Sequence, residues 1–180
     1  MEDATLEELK YPIGKFKVPD VITKEQRDQW ITILENLPTK YSELVTGLSE
    51  TQLETPYRPG GWTVRQTMHH VSDSHHNSYI RFKWALTEEN PVIKPYNEKE
   101  WAQLFDTRTA PVALSLAHLT AVHAKLVYLL KGLTEAQLQR TFVHPDGNES
   151  STLEANIGRY AWHGSHHLAH IKNLIAREGW

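Results

Sequence analysis

Residues 162 to 170 read "WHGSHHLAH", four histidines within nine positions. In a helix, side chains four residues apart lie about 40° apart on one face, so two imidazoles at that spacing can grip one cation. Two pairs have the spacing, His163 with His167 and His166 with His170. The residues around them choose between the pairs. Leu153, Ile157, Tyr160, Ala161, Gly164, Leu168, Ile171 and Ile175 form one apolar stripe on a helix from Ser151 to about Arg177, stopped at Gly179. From the centre of that stripe His167 lies about 65° away and His163 about 105°, against about 125° for His170 and about 165° for His166. A site inside a bundle needs ligands at the edge of the buried face. His163 and His167 meet that condition, and the rival pair is expected mostly to face water.

Of eleven histidines, four more fall within residues 69 to 76. A helix from Thr63 to about Leu86 carries the stripe Val64, Met68, Val71, Ser78 and Phe82. His70 sits at its flank, about 110° from the centre, while His69 and His76 point further out. His75 falls on the stripe itself, as a buried ligand or a core histidine bonded to a carbonyl. His118, His123 and His144 have no partner at ligand spacing and read as structural or surface residues. Clustered histidines can simply be the polar face of an amphipathic helix. Two clusters on two long helices, each with a flank-facing imidazole, favour a metal site. Three protein ligands would leave one position open, as in catalytic rather than structural zinc.

Helix starts are legible from Ser or Thr followed three residues later by Glu or Gln, the capping box. Thr23–Gln26, Ser49–Gln52, Thr63–Gln66, Thr134–Gln137 and Ser151–Glu154 fit it. After the first, apolar residues recur at helical spacing from Trp30 to Leu48, with Pro38 predicting a kink or two abutting helices. "PYRPGGW", 56–62, is a loop; a short helix is expected over 98–105 and a long one over 112–130. "VHPDGNESS", 143–151, reads as a loop or short hairpin. The pattern predicts an all-α protein of four long helices, one domain over residues 1–180. Residues 1–22 form an extended N-terminal arm, lying along the bundle or reaching a neighbouring subunit. "GLSETQL", 47–53, and "GLTEAQL", 132–138, each precede a histidine-bearing helix, which suggests two related helical hairpins.

Composition narrows the function. Apolar residues at 39% and charged residues at 23% suit a water-soluble globule, and a net charge of −3 without a basic run argues against nucleic acid. No apolar run approaches the roughly 18 residues of a membrane span, and the acidic start lacks the pattern of a signal peptide, so a cytoplasmic location is expected. With no cysteine, a metal must be held by nitrogen or oxygen, and c-type haem is excluded. Neither cluster has the Glu-x-x-His pairs of di-iron bundles. Gly164 follows His163 where a zincin needs Glu.

The stretches "YPIGKF" (11–16), "LETPYRPGGWTVRQTMHHVSDSHHNSYIRFKWALTEE" (53–89), "KPYNEKEW" (94–101) and "WHGSHHLAHI" (162–171) resemble the DinB/YfiT-like family of metal-dependent enzymes. The likeness is to its YfiT branch, which includes a bacillithiol transferase. It implies a four-helix bundle, a homodimer, and one zinc or nickel ion per subunit held by His70, His163 and His167. Gly164 and Ser165 stand where relatives carry Ser and His, and the ligand positions are intact.

The functional expectation is a metal-dependent hydrolase that activates water against a small-molecule substrate. The alternatives are a transferase acting through the thiolate of a low-molecular-weight thiol such as bacillithiol, and a non-catalytic metal-binding bundle. Beyond the metal, Asp73 is a candidate to orient a ligand and Arg81 to receive an anionic group of the substrate, although both are equally at home on a solvated face.

Overall fold

The computed structural model describes residues 5–147 and 149–180. Four long helices form the body: α2 (Lys24–Val45), α4 (Val64–Thr87), α7 (Val112–Lys131) and α9 (Leu153–Glu178). Short helices punctuate the connections: α1 (Leu6–Lys10), α3 (Glu50–Leu53), α5 (Glu98–Trp101), α6 (Phe105–Thr109) and α8 (Glu135–Leu138). Around the bundle the contacts run α2–α9–α4–α7 and back to α2. The candidate helices α4 and α9 are therefore neighbours.

The predicted caps largely form. Thr63 and Gln66 close a capping box on α4, as do Ser49 with Gln52 on α3 and Thr134 with Gln137 on α8. Thr23 caps α2 through its side chain alone. The α9 start differs from the expected Ser151–Glu154 box. The N-cap is Thr152, because Thr141–His144 (β1) and Glu149–Thr152 (β2) pair as a two-stranded antiparallel hairpin that carries Ser151 in its ladder. Glu154 is committed elsewhere, to Arg27 and to Gln139 at 3.0 Å. The αL glycine Gly179, φ 72°, ends α9 where expected.

Pro38 neither splits α2 nor divides it into two helices. Proline removes the bond to the carbonyl four residues back. That carbonyl, Leu34 O, takes the His123 Nδ1 proton instead, at 2.6 Å. The helix runs on because another helix supplies the missing donor.

The core falls into two apolar clusters. One holds Trp30, Leu34, Phe82, Leu126, Ile157 and Ala161, and the other Leu37, Tyr41, Val71, Leu119, Ile171 and Leu174. Between them in sequence lie His75 on α4, His123 on α7, and His163 with His167 on α9. A polar layer of imidazoles thus separates two hydrophobic layers. Two glycines let α9 approach α2: a Cβ at Gly158 would lie 2.7 Å from Trp30, and one at Gly164 2.1 Å from Leu37.

Helix α7 departs from the expectation that no apolar run is long enough for a bilayer. By length and composition alone it qualifies as a span. Here it packs on α2 and α4, burying Leu119, Val122, Leu126 and Leu130. The N-terminal arm, whose first four residues lie outside those described, carries the short helix α1 and then extends along α9. Trp162 Nε1 donates to Gly14 O at 3.2 Å, and Phe16 packs on Trp30 and Trp162.

Candidate metal centre

Helix geometry brings His70 of α4 against His163 and His167 of α9, with one ring nitrogen from each within 4.8 Å of the other two. His70 and His167 are buried, and His163 opens onto a cavity of about 920 Å³. His70 Nε2 faces His163 Nε2 at 3.3 Å. Two ring nitrogens at that separation need a proton or a cation between them.

Two hydrogen-bonded chains fix which nitrogens carry protons. A carbonyl can only accept, so Leu34 O places a proton on His123 Nδ1. His123 Nε2 must then accept from His75 Nδ1, at 2.9 Å, and His75 Nε2 from His163 Nδ1, at 3.3 Å. His163 is left with a bare Nε2 aimed at His70. The second chain begins on the N-terminal arm. Lys10 O accepts from His170 Nε2 at 3.0 Å, so His170 Nδ1 accepts from His167 Nδ1 at 3.3 Å. His167 is likewise left with a bare Nε2. Partners of this kind fix the tautomer and orientation of metal-ligating histidines.

The same observation corrects the expectation for the rival pair. His166 and His170 do not face water; they are 7% and 3% exposed. A helical wheel measures a residue against its own stripe and is blind to what covers the opposite face. Here the cover is Tyr11 beside His166, Trp162 stacked on His166 at 4.6 Å, and Tyr57 stacked on His170 at 4.0 Å. His170 serves as the hydrogen-bond partner of His167, while His166 Nδ1 is buried without a partner among the described residues.

Two other histidines also depart from expectation. His75 reaches a carbonyl only through His123, itself a buried structural residue. His69 is buried rather than outward, with Nδ1 on Ser115 Oγ at 2.7 Å and Nε2 on Ala110 O at 3.1 Å, tying α4 to the start of α7. His76 does lie at the rim, paired with His118 at 2.8 Å.

Four of these imidazoles, His70, His163, His167 and His75, are driven toward the neutral form. Burial first, then neighbouring imidazole charge, pushes His70 down to about 4 and His163, His167 and His75 well below the ordinary value. Three neutral nitrogen donors facing one point suit a divalent ion of the borderline class.

The loop 56–62 supplies the aromatic wall. Tyr57 N donates to Trp62 O at 3.0 Å, and Gly60, at φ 65°, makes the turn between them. Trp62 lies 4.6 Å from the His70 ring. Lys10, Arg58, Lys99 and Arg108 line the same cavity with Glu54 and Glu98, and Glu54 is engaged by Arg65 at 2.6 Å. The sequence signal for this wall was the Pro-Gly-rich loop before α4; nothing in it marked Tyr57 and Trp62 as facing histidines.

The two remaining candidates part ways. Asp73 does not line the cavity or bond a histidine of the cluster; the charges that act on it are Asp106 and His76. Arg81 is buried, and Nη1 donates to Tyr160 Oη at 3.1 Å beside a second cavity that also reaches His163.

Bundle and site together define a helical protein with a three-imidazole centre between two of its long helices. Residues 25–171 match the DinB superfamily, and the chain belongs to that family. It is 52% identical to "Putative metal-dependent hydrolase YfiT" of Bacillus subtilis (strain 168) over 96% of this chain and 97% of the relative. A Bacillus mycoides (strain KBAB4) relative described in the same words is 51% identical over 97% of this chain and all of its own. The solved structure "YfiT from Bacillus subtilis is a probable metal-dependent hydrolase with an unusual four-helix bundle topology" matches with a TM-score of 0.94 at 52% identity, over 96% of this chain and 99% of that one.

Proposed function

We propose that this protein is a metal-dependent hydrolase of small molecules, with one divalent ion held by Nε2 of His70, His163 and His167. The observation that carries the reading is the convergence of three neutral imidazoles, two with tautomers set by backbone carbonyls, at the edge of a 920 Å³ cavity. Zinc or nickel suits such a donor set, and when bound would retain its +2 charge and lower the pKa of a water to about 7. The chain's own groups do the rest. His123 and His75 hold the His163 ring in place, and Lys10 O and His170 hold that of His167. Trp62 and Tyr57 wall the centre with apolar rings, and the cationic rim formed by Lys10, Arg58, Lys99 and Arg108 favours a polar or anionic substrate.

Thiol transfer is the second reading. A chain without cysteine leaves a sulfur-free donor set, so a small thiol would meet no protein thiolate competing for the open position. One experiment separates the readings. The purified protein is assayed for metal per chain, then loaded with zinc or nickel and offered ester and amide panels with and without small thiols. Metal-dependent ester or amide turnover without thiol, lost in His70→Ala, is expected. Conjugation that occurs only with thiol would replace hydrolysis by transfer. Inertness in every arm at full metal occupancy would leave a non-catalytic metal-binding bundle.

A further inference from the structure

Three arginines are buried in this chain: Arg27, Arg65 and Arg81 are 7%, 3% and 8% exposed. Two are clamped by pairs of carboxylates, Arg27 by Glu135 and Glu154, and Arg65 by Glu50 and Glu54. Arg81 has no carboxylate within 4.0 Å among the described residues. Its one hydrogen bond among the described residues goes to the Tyr160 hydroxyl. A buried cation is ordinarily paired, because taking it out of water is costly without a counter-charge. No carboxylate among the described residues contacts this one, although Glu98 and Asp146 line the cavity it faces.

Its surroundings say where the counter-charge enters. Arg81 lines a cavity of about 710 Å³ with Tyr96, Lys99, His144 and Tyr160. That cavity shares His163, Glu98 and Lys99 with the larger one over the histidine cluster. A guanidinium has five N–H donors, and no Arg81 nitrogen is sealed away without a partner, so donors not spent on Tyr160 remain accessible on a side chain that lines the cavity. Tyr160 is fixed by packing edge-on against His75, at 5.1 Å. Its oxygen accepts from Arg81, which leaves its own proton to donate.

We infer that Arg81 and Tyr160 form an anion subsite that receives a carboxylate of the substrate while the scissile bond lies at the three histidines. This rests on the hydrolase reading and narrows it to substrates that carry an acid group. Carboxylate is favoured over a phosphate dianion because Asp146 and Glu98 offset Lys99 and Arg81 in the cavity lining, so a second negative charge on the ligand would meet no unmatched cation. The planar guanidinium also fits a carboxylate in a two-bond fork.

The test begins without metal, so that it does not depend on activity. Acetate is titrated into metal-free full-length protein while the Arg81 side-chain Nε–H resonance is followed by NMR, assigned by its loss in Arg81→Lys. Acetate should shift that resonance saturably, and Tyr160→Phe should weaken the binding several-fold. An unmoved Arg81 resonance would overturn the subsite, and tighter binding of inorganic phosphate than of acetate would overturn the carboxylate assignment. In the second arm, metal-loaded protein hydrolyses 4-nitrophenyl acetate and mono-4-nitrophenyl succinate. Arg81→Gln, or Arg81→Lys if the first does not fold, should lower kcat/KM for the succinate ester at least tenfold more than for the acetate ester. An equal loss on both esters counts against the subsite. Inertness toward both esters with acetate still bound at Arg81 would sink the hydrolase reading and leave the anion subsite standing.

Discussion

Pro38 and His123 meet at one oxygen. A helix residue at 38 would normally donate its N–H to Leu34 O; proline has none, and His123 Nδ1 donates there instead at 2.6 Å. The irregularity in α2 therefore sets the tautomer of His123, which sets His75, which leaves His163 Nε2 bare toward His70. His123→Ala should lower zinc affinity about 10–100-fold, the range for removing outer partners of metal-ligating histidines, and His118→Ala should leave it unchanged. Competition with a chromophoric chelator measures both. Equal affinity in His123→Ala and the parent would show that the chain of imidazoles has no bearing on the metal.

The ligand assignment makes a graded prediction on α9. His163→Ala or His167→Ala should abolish stoichiometric metal binding. His170→Ala removes the acceptor for His167 Nδ1 and should weaken binding about 10–100-fold, while His166→Ala should retain full occupancy. Elemental analysis after dialysis against a range of free zinc orders the four variants. Loss in His166→Ala with retention in His163→Ala would reverse the choice of pair.

The separation of legible from illegible features follows from the range of the interactions. Capping boxes lie within four consecutive residues, so Thr63, Ser49 and Thr134 announce their helices. The Ser151 box failed because a hairpin ladder and the Arg27–Glu154 ion pair, both non-local, claimed its members. Stripe geometry placed His163, His167 and His70 near the buried edge, which depends only on their own helices. The burial of His170 and the partners of His123 are not legible in this way, because they are set by other segments, the arm at Lys10 and the interrupted carbonyl at Leu34. Pro38 was visible as a break, but not the donor that repairs it.

Gly164 ties the site to the packing of the bundle. An added Cβ would stand 2.1 Å from Leu37 Cδ2 and 3.1 Å from His75 Cε1. Alanine gains up to about 1 kcal/mol of helix propensity, but overpacking of this kind costs about 1–3 kcal/mol and should win because Leu37 is fully buried. For a chain of this size Gly164→Ala should lower Tm by up to roughly 8 °C. A Tm equal to or above that of the parent in a thermal scan would mean that α2 yields freely at this contact.

Asp73 carries a prediction about pH rather than catalysis. Burial, and then the charge of Asp106, raises its pKa from 3.8 to about 6, with His76 acting the other way. A carboxyl with a raised folded pKa stabilises the fold while protonated and progressively loses that contribution as pH climbs from the unfolded value to the folded one. Two units would correspond to about 3 kcal/mol, but the side chain is partly exposed, and solvent screening reduces this to about 1 kcal/mol. Asp73→Asn keeps the shape and removes the charge. It should therefore be more stable than the parent by about 1 kcal/mol above pH 7, with the gain shrinking as pH falls from about 6 toward 4. Urea unfolding of both proteins across that range is the measurement. A difference independent of pH, or an asparagine variant less stable than the parent at pH 8, would show that the ionised Asp73 has a favourable partner.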